Sequence, residues 1–337
     1  MVTIIGGGIA GTVLAGALAR DGISATVYER RDAVGAGAFL VLDGPAHETL
    51  GELGVDTSAL RAISHPVNGL AVHEVSCASR VVPGAGRRLY FRPQLMRVLT
   101  DFAAAANADI RYGCAVGAFD GDTVRVGAEA VPVAGPLIAA DGIDSMVRAC
   151  LEPDRPAVYA DQVVVYGVTD NAVPLPSEQS LLHFQIHRVG DGPRTDAFGH
   201  LWNDRIAAWF ARITRPAISG QDVGFHPTAT WADAVRAVAP DIPDVVESML
   251  ADTDRVHVSN ARDVPLTAAL PPRDDVVLCG DADHAISPAA GVGAREAIED
   301  ARALHRAITT DTSIAAAMAT RRADIVRERT QARRPRN

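Results

Sequence analysis

The chain has 337 residues, 48% of them hydrophobic and 22% charged, which suits one large or two interwoven domains with a sizeable core and argues against disorder. All 32 basic residues are arginine, which excludes a lysine Schiff base and a phosphate-binding Walker lysine. The net charge of −9 leaves no global nucleic-acid footprint and disfavours anionic membrane surfaces, and four cysteines without a C-x-x-C pair fit reduced thiols, with no metal site expected.

Met1 to Ala19 is uncharged and mildly apolar but lacks a basic leader and is interrupted by Gly6, Gly7, Gly8, Gly11 and Gly16, so neither a signal peptide nor a membrane span is expected and the default location is cytoplasmic. Val2 to Ile5 is a β-branched run that predicts a buried strand, and Gly6-Gly7-Gly8-Ile9-Ala10-Gly11 opens an apolar helix over Thr12 to Arg20. This is G-x-G-x-x-G in its strand–turn–helix context. Gly6 permits the tight turn, Gly8 lets backbone amides approach a pyrophosphate, and Gly11 lets helix and strand pack closely. A second strand, Ser24 to Tyr28, ends at Glu29, where a carboxylate can accept the ribose hydroxyls of an adenosine. The motif serves NAD and FAD equally.

From Asp161 to Thr214 the texture becomes β-rich, with strands expected over Gln162 to Thr169, Leu181 to Val189 and His200 to Thr214, and helices over Trp231 to Val238 and Val245 to Leu250. Alternate residues on one face of such a sheet would meet a substrate, which makes His183, Phe198, His200, Trp202, Trp209 and Phe210 candidates, each of which is equally compatible with ordinary packing. His183 and His200 are selected as the catalytic candidates.

Val276 to Leu278 predicts another buried strand, with Gly280-Asp281-Ala282-Asp283-His284 at its C-terminal end, the edge at which open α/β sheets bind ligands. Pro288, Gly291, Val292 and Gly293 follow, then a helix with Ala297, Ile298, Ala301 and Leu304 at helical spacing. Glycines at that helix start leave amides free to face an anionic group. Residues 321 to 337 carry seven arginines against Asp324 and Glu328; the expectation is a solvated helix end whose cations suit the helix dipole.

GGGIAG with Glu29, AADGIDSMVR at 139 to 148 and GDADHAISPAAGVGAREAIEDA at 280 to 301, in that order, resemble the class A flavoprotein monooxygenases, the family of p-hydroxybenzoate hydroxylase. The resemblance implies an α/β fold, a Rossmann-like FAD-binding domain with an inserted β-rich substrate domain roofing the flavin. FAD-domain segments are expected at 1–70, 92–158 and 258–337, and substrate-domain segments at 71–91 and 159–257. It further implies that Asp281 holds the ribityl chain and that Gly291 and Gly293 start a helix aimed at the flavin pyrimidine edge. Pro288 would line the substrate side of the ring, and Asp141 and Gly142 would support the pyrophosphate and nicotinamide use. Arg30 and Arg92 match arginines seen beside the cofactor.

Three positions depart from the pattern: Ala139, Val292 and Arg295. Arg295 either points at the flavin, stabilising the anionic reduced ring or a substrate carboxylate, or points outward as a solvated residue. The leading expectation is therefore an FAD enzyme in which NADPH or NADH reduces the flavin and a flavin hydroperoxide oxygenates a small organic substrate with O2, the chain acting as a monomer or homodimer without nucleic-acid or membrane partners. A non-oxygenating dehydrogenase, reductase or cyclase on the same fold is the alternative. A flavin-binding scaffold whose basic tail contacts a partner is a third reading, which turnover surviving deletion beyond Arg321 would argue against.

Overall fold

In the computed structural model, which describes residues 1–32, 37–74, 79–169, 171, 173–188, 195–287 and 291–332, the opening strand Val2–Ile5 lies at the centre of a five-stranded parallel sheet. The strand order is Val276–Leu278, Leu137–Ala139, Val2–Ile5, Ala25–Tyr28 and Asp109–Arg111. Side chains alternate across a strand, and here the alternation separates two cores. Val2, Ile4, Val27, Ile138 and Val277 pack against helices Ile9–Arg20, Arg92–Ala105 and Gly293–Thr309. Ile5, Leu137, Ala139, Val276 and Leu278 pack on the other side, against the meander Val116–Phe119, Thr123–Val126, Glu129–Pro132 and the short helix Met146–Leu151. A sheet covered on both faces needs near-continuous apolar strands, which is what these short segments supply.

An eight-stranded mixed sheet forms the second layer, in the order Gly224–Pro227, Arg255–Asp263, Val158–Thr169, Ala207–Thr214, Thr195–Trp202, Leu181–Arg188, Gly69–Glu74, Arg80–Pro83. Its outer face carries Val163, Val165, Phe198, Trp202 and Trp209, buried beneath helices Ala232–Val238 and Pro243–Ala251. The domain boundary expected at residue 258 falls inside strand Arg255–Asp263 of this sheet.

Two expectations change. The single β segment over His200 to Thr214 is a hairpin of two strands, because the Asn203 side chain accepts the backbone N–H groups of Arg205 (2.9 Å) and Ile206 (3.2 Å) and so stabilises a turn. Over its described part the arginine-rich terminus is more than a solvated helix end, while Arg333, Arg334 and Arg336 lie outside the described residues. Helix Ile314–Ala332 buries Ile314, Met318 and Ile325, and its Arg321, Arg322 and Arg329 pair with carboxylates that are at most 1% exposed. Deleting the residues beyond Arg321 would strip two of these counter-ions, so that deletion tests folding rather than a partner-binding tail. Among the described residues no helix is long and apolar enough to cross a membrane.

Candidate active site

The three glycines of the first turn divide by what surrounds them. Gly6 has φ +100°, and a Cβ there would lie 2.7 Å from the Ala140 carbonyl carbon and closer still to its oxygen; a Cβ at Gly11 would overlap the Gly6 carbonyl oxygen. Both are required by the fold itself. Gly8 is different: its φ of −75° and ψ of −166° suit any residue, and an added Cβ would meet no atom within 4 Å. That open space belongs to a cavity of about 500 Å³, which Gly8, Ile9 and Ala10 line at the start of helix Ile9–Arg20. No acidic residue occupies that helix's first turn, so its free amides and dipole are left for a bound anion.

Glu29 stands beside this turn, its carboxylate accepting the N–H of Gly7 (2.6 Å) and of Arg31 (2.8 Å); it holds the turn in shape, while Arg30 is exposed. Arg92, the first residue of helix Arg92–Ala105, lines the cavity. Burial lowers its pKa and Asp281 opposes the shift. Asp281 lies across from it, presented by the Gly280 turn (φ +57°) after strand Val276–Leu278. Gly291, Val292, Gly293 and Ala294 bring a second helix start, that of Gly293–Thr309, to the same cavity.

Ala140 and Gly142 also line it, whereas Asp141 turns inward. The Asp141 carboxylate accepts the Met146 N–H (2.8 Å) at the start of helix Met146–Leu151, its other oxygen is buried without a partner, and burial raises its pKa. Arg148 on that helix donates to the Ala282 carbonyl (2.7 Å), which ties the Asp141–Gly142 segment to the Asp281 segment. Pro288 lies outside the described residues.

The second sheet closes the cavity with Val164, Tyr166, Leu182, Phe184, Phe210 and Arg212. Phe184, Gly199, Phe210 and Tyr166 form one cross-strand row. A Cβ at Gly199 would collide with the Phe210 ring, so the glycine lets that ring lie across its strand, 5.8 Å from Phe184 and 6.4 Å from Tyr166. Phe39 adds an edge-on contact to Tyr166 at 5.5 Å. Burial pushes the Tyr166 phenol well up. In the next row sits Arg212, with Val164 as its register partner. Burial lowers the Arg212 pKa, with Tyr166 and Asp196 opposing, and its Nε is buried without a partner.

His183 and His200 are on the opposite face. They are register partners whose rings stack at 4.8 Å, with His73 stacked on His183 at 5.7 Å, and neither lines the cavity. His200 bonds Ser177 (2.9 Å) and His183 bonds the Glu178 carbonyl (3.1 Å). Phe198, Trp202 and Trp209 share that face, and of the sequence-selected residues in the roof Phe210 alone faces the cavity. The reason is parity: successive strand residues point to opposite faces, and His183 and His200 fall on the helix-covered one. Arg295 does line the cavity, but its guanidinium bridges Glu328 (2.8 Å) and Asp43 (3.6 Å). Tyr166, Phe184 and Arg212 went unselected; a lone arginine two residues after Phe210 was the available signal.

Two helix starts, a side-chain-free approach at Gly8, a buried arginine and an opposing aspartate at a sheet edge fit FAD, and with a β-sheet roof over them they define a flavoprotein oxidoreductase. The chain matches the family model described as FAD binding domain over residues 1–317 and belongs to that family. It is 30% identical to the aurachin C monooxygenase/isomerase of Stigmatella aurantiaca, over 94% of this chain and 83% of that protein. It is 27% identical to the kynurenine 3-monooxygenase of Salinispora arenicola, over 94% and 74%. Among solved structures it superposes on 2-methyl-3-hydroxypyridine-5-carboxylic acid oxygenase with a TM-score of 0.77 at 19% identity, covering 96% of this chain and 86% of that one. For Klebsiella pneumoniae HpxO complexed with FAD and uric acid the TM-score is 0.73 at 22% identity, covering 95% and 83%. The protein is an FAD-dependent monooxygenase.

Proposed function

We propose that the chain uses NAD(P)H and O2 to oxygenate a small aromatic substrate that carries an anionic substituent. The observation that supports this reading is the composition of the roof: Tyr166, Phe184 and Phe210 offer ring faces and edges above the cofactor cradle, and Arg212 brings a buried, unpartnered guanidinium nitrogen to the same wall. Aromatic side chains favour a planar partner. A guanidinium fork matches a carboxylate in two parallel hydrogen bonds, and its charge counts for more in a site that excludes water. Gly8, the two helix starts, Arg92 and Asp281 would hold FAD; when bound, FAD supplies the electron transfer and oxygen activation. The chain's own part is to orient the substrate ring, exclude water and neutralise its anion.

The same reading gives His183 and His200 no contact with the substrate, and gives Arg295 a role in tying the cavity wall to Asp43 and Glu328. The test is NADH or NADPH oxidation and O2 uptake by purified holoprotein across paired aromatics with and without a carboxylate. Stimulation by the acids, with a product heavier by one oxygen atom, supports the reading. Substrate-dependent flavin reduction without oxygen incorporation would move the assignment to a dehydrogenase-type flavoprotein.

A further inference from the structure

The arginines of helix Ile314–Ala332 do more than cover a core. Ile314, Met318 and Ile325 anchor the helix, and at the spacing of the same stripe three arginines reach buried acids. Arg321 Nε donates to Asp300 Oδ1 (3.2 Å). Arg322 donates to both oxygens of Asp283 (2.8 and 2.6 Å). Arg329 Nε donates to Glu296 Oε1 (3.1 Å), while its Nη2 donates to Glu296 Oε2 and the His284 carbonyl.

Each acid belongs to a segment that forms the cavity wall. Asp300 accepts the Gly280 N–H (2.8 Å) and pairs with His284 (2.7 Å), so it fixes the turn that presents Asp281. Asp283 lies two residues beyond Asp281, and Glu296 sits between the cavity-lining Arg295 and Ala297. Without the helix, Asp283, Asp300, Glu296 and the neighbouring buried Glu152 would have only Arg155 and His284 as ion-paired cations among the described residues.

We propose that Arg321, Arg322 and Arg329 are positioning residues for FAD, and that docking of the C-terminal helix sets the Gly280–His284 turn and the start of helix Gly293–Thr309 in their cofactor-binding arrangement. A buried carboxylate stripped of its partner is strongly unfavourable. The segment carrying it relieves that penalty by moving toward water, which displaces the wall that FAD contacts. FAD binds the docked arrangement, so helix docking and FAD affinity are linked reciprocally. This inference rests on FAD binding alone and is independent of the substrate and of oxygenation.

The test measures FAD affinity by flavin fluorescence after FAD is stripped from the full-length protein. Arg329→Gln weakens FAD binding at least tenfold, and the Glu296→Gln/Arg329→Gln double variant, which removes both charges, returns to within about threefold of the parent, as expected for coupled residues. Val235→Ala, a core truncation in the roof domain, lowers the melting temperature without changing FAD affinity. Wild-type affinity in Arg329→Gln, a double variant no better than the single, or equal weakening in Val235→Ala would overturn the proposal. Should Arg329→Gln fail to fold, amide hydrogen exchange on the parent decides: residues 314–332 exchange several-fold more slowly with FAD bound, and unchanged exchange refutes the linkage.

Discussion

Gly8→Ala separates a glycine that serves a ligand from glycines that serve the fold. At Gly6 an added methyl needs a residue at φ +100° and overlaps the Ala140 carbonyl; at Gly11 it overlaps the Gly6 carbonyl oxygen. Overpacking of this kind costs roughly 1–3 kcal/mol, and the left-handed backbone adds about 1–2 kcal/mol at Gly6. At Gly8 neither penalty exists, because φ is −75° and no atom lies within 4 Å. Gly8 is the N-cap of helix Ile9–Arg20, where alanine caps less well than glycine, but alanine also lowers the entropy of the unfolded chain by a comparable ~0.4–1 kcal/mol, so folding stability of Gly8→Ala stays within roughly 1 kcal/mol of the parent. The methyl instead projects into the space at the start of helix Ile9–Arg20, where a pyrophosphate must approach the amides. Displacing the phosphates from two charge-assisted hydrogen bonds, at about 1.5–3 kcal/mol each, predicts at least a hundredfold loss of FAD affinity, since every 1.4 kcal/mol is about tenfold. The assay pairs a thermal melt of apoprotein with an FAD fluorescence titration. An unchanged melt with lost binding is the expected result. Parent-like FAD affinity would refute the placement of the phosphates at Gly8, and a collapsed melt would refute the division of the glycines.

Arg212→Gln raises KM for acidic aromatics by roughly tenfold to a hundredfold, matching about 1.5–3 kcal/mol for a charged hydrogen bond, and leaves neutral analogues within about threefold; equal effects on both would remove the anion-recognition role. The stacked histidines predict a pH effect on stability. Burial pulls His200 down to about 3 from its usual 6.5, so below pH 6.5 the unfolded chain takes up a proton that the folded chain refuses. Stability is full above pH 6.5 and falls as pH drops toward 3, by about 2 kcal/mol at pH 5. Urea melts of the parent and His200→Phe at pH 7 and 5 check this, and an equal pH loss in both would contradict it. Arg295→Gln changes stability by less than about 1 kcal/mol, because its partners Glu328 and Asp43 leave a partly exposed pair rather than a buried charge; a collapse of flavin reduction would instead give Arg295 a direct role at the ring.

The cofactor half was legible because its chemistry constrains backbone, and backbone constraint shows as glycine spacing. Gly6, Gly8, Gly11 and Gly280 mark turns and approaches that few other sequences provide. The substrate half was less legible because both faces of the roof sheet are covered. In Ala207–Thr214 no polar–apolar alternation announces which parity meets the ligand, and Trp209 and Phe210 on opposite faces were both selected. In Leu181–Arg188 Leu182, Phe184 and Ile186 do alternate with His183, Gln185 and His187, but the pattern does not say which of two covered faces meets the ligand, and taking His183 rather than Phe184 is a one-residue difference. The C-terminal helix was misread for another reason. Net charge over residues 321–337 averaged Arg321, Arg322 and Arg329 together with the exposed Arg327, whereas the helical period places the first three in the stripe of Ile314, Met318 and Ile325.

In a chain whose only strong cation is arginine, buried guanidinium groups sort by partner. Arg148 is satisfied by three backbone carbonyls, and Arg155, Arg321, Arg322 and Arg329 by buried carboxylates; these belong to the scaffold. Arg92 and Arg212 are also held below the usual arginine pKa by burial, yet neither has a carboxylate within ion-pair distance among the described residues, and both face the same cavity from opposite layers. A buried charge without a counter-ion is costly unless a ligand supplies one. Arg92 lies beside the glycine turns and Arg212 beside the aromatic row, so the two unpaired cations mark two places for polar or anionic groups, one on the cofactor and one on the substrate. On this argument Arg92→Met weakens FAD and Arg212→Met weakens an aromatic acid, each leaving the other ligand's affinity in place, and a single variant that lost both equally would show that the cavity has one anion site rather than two.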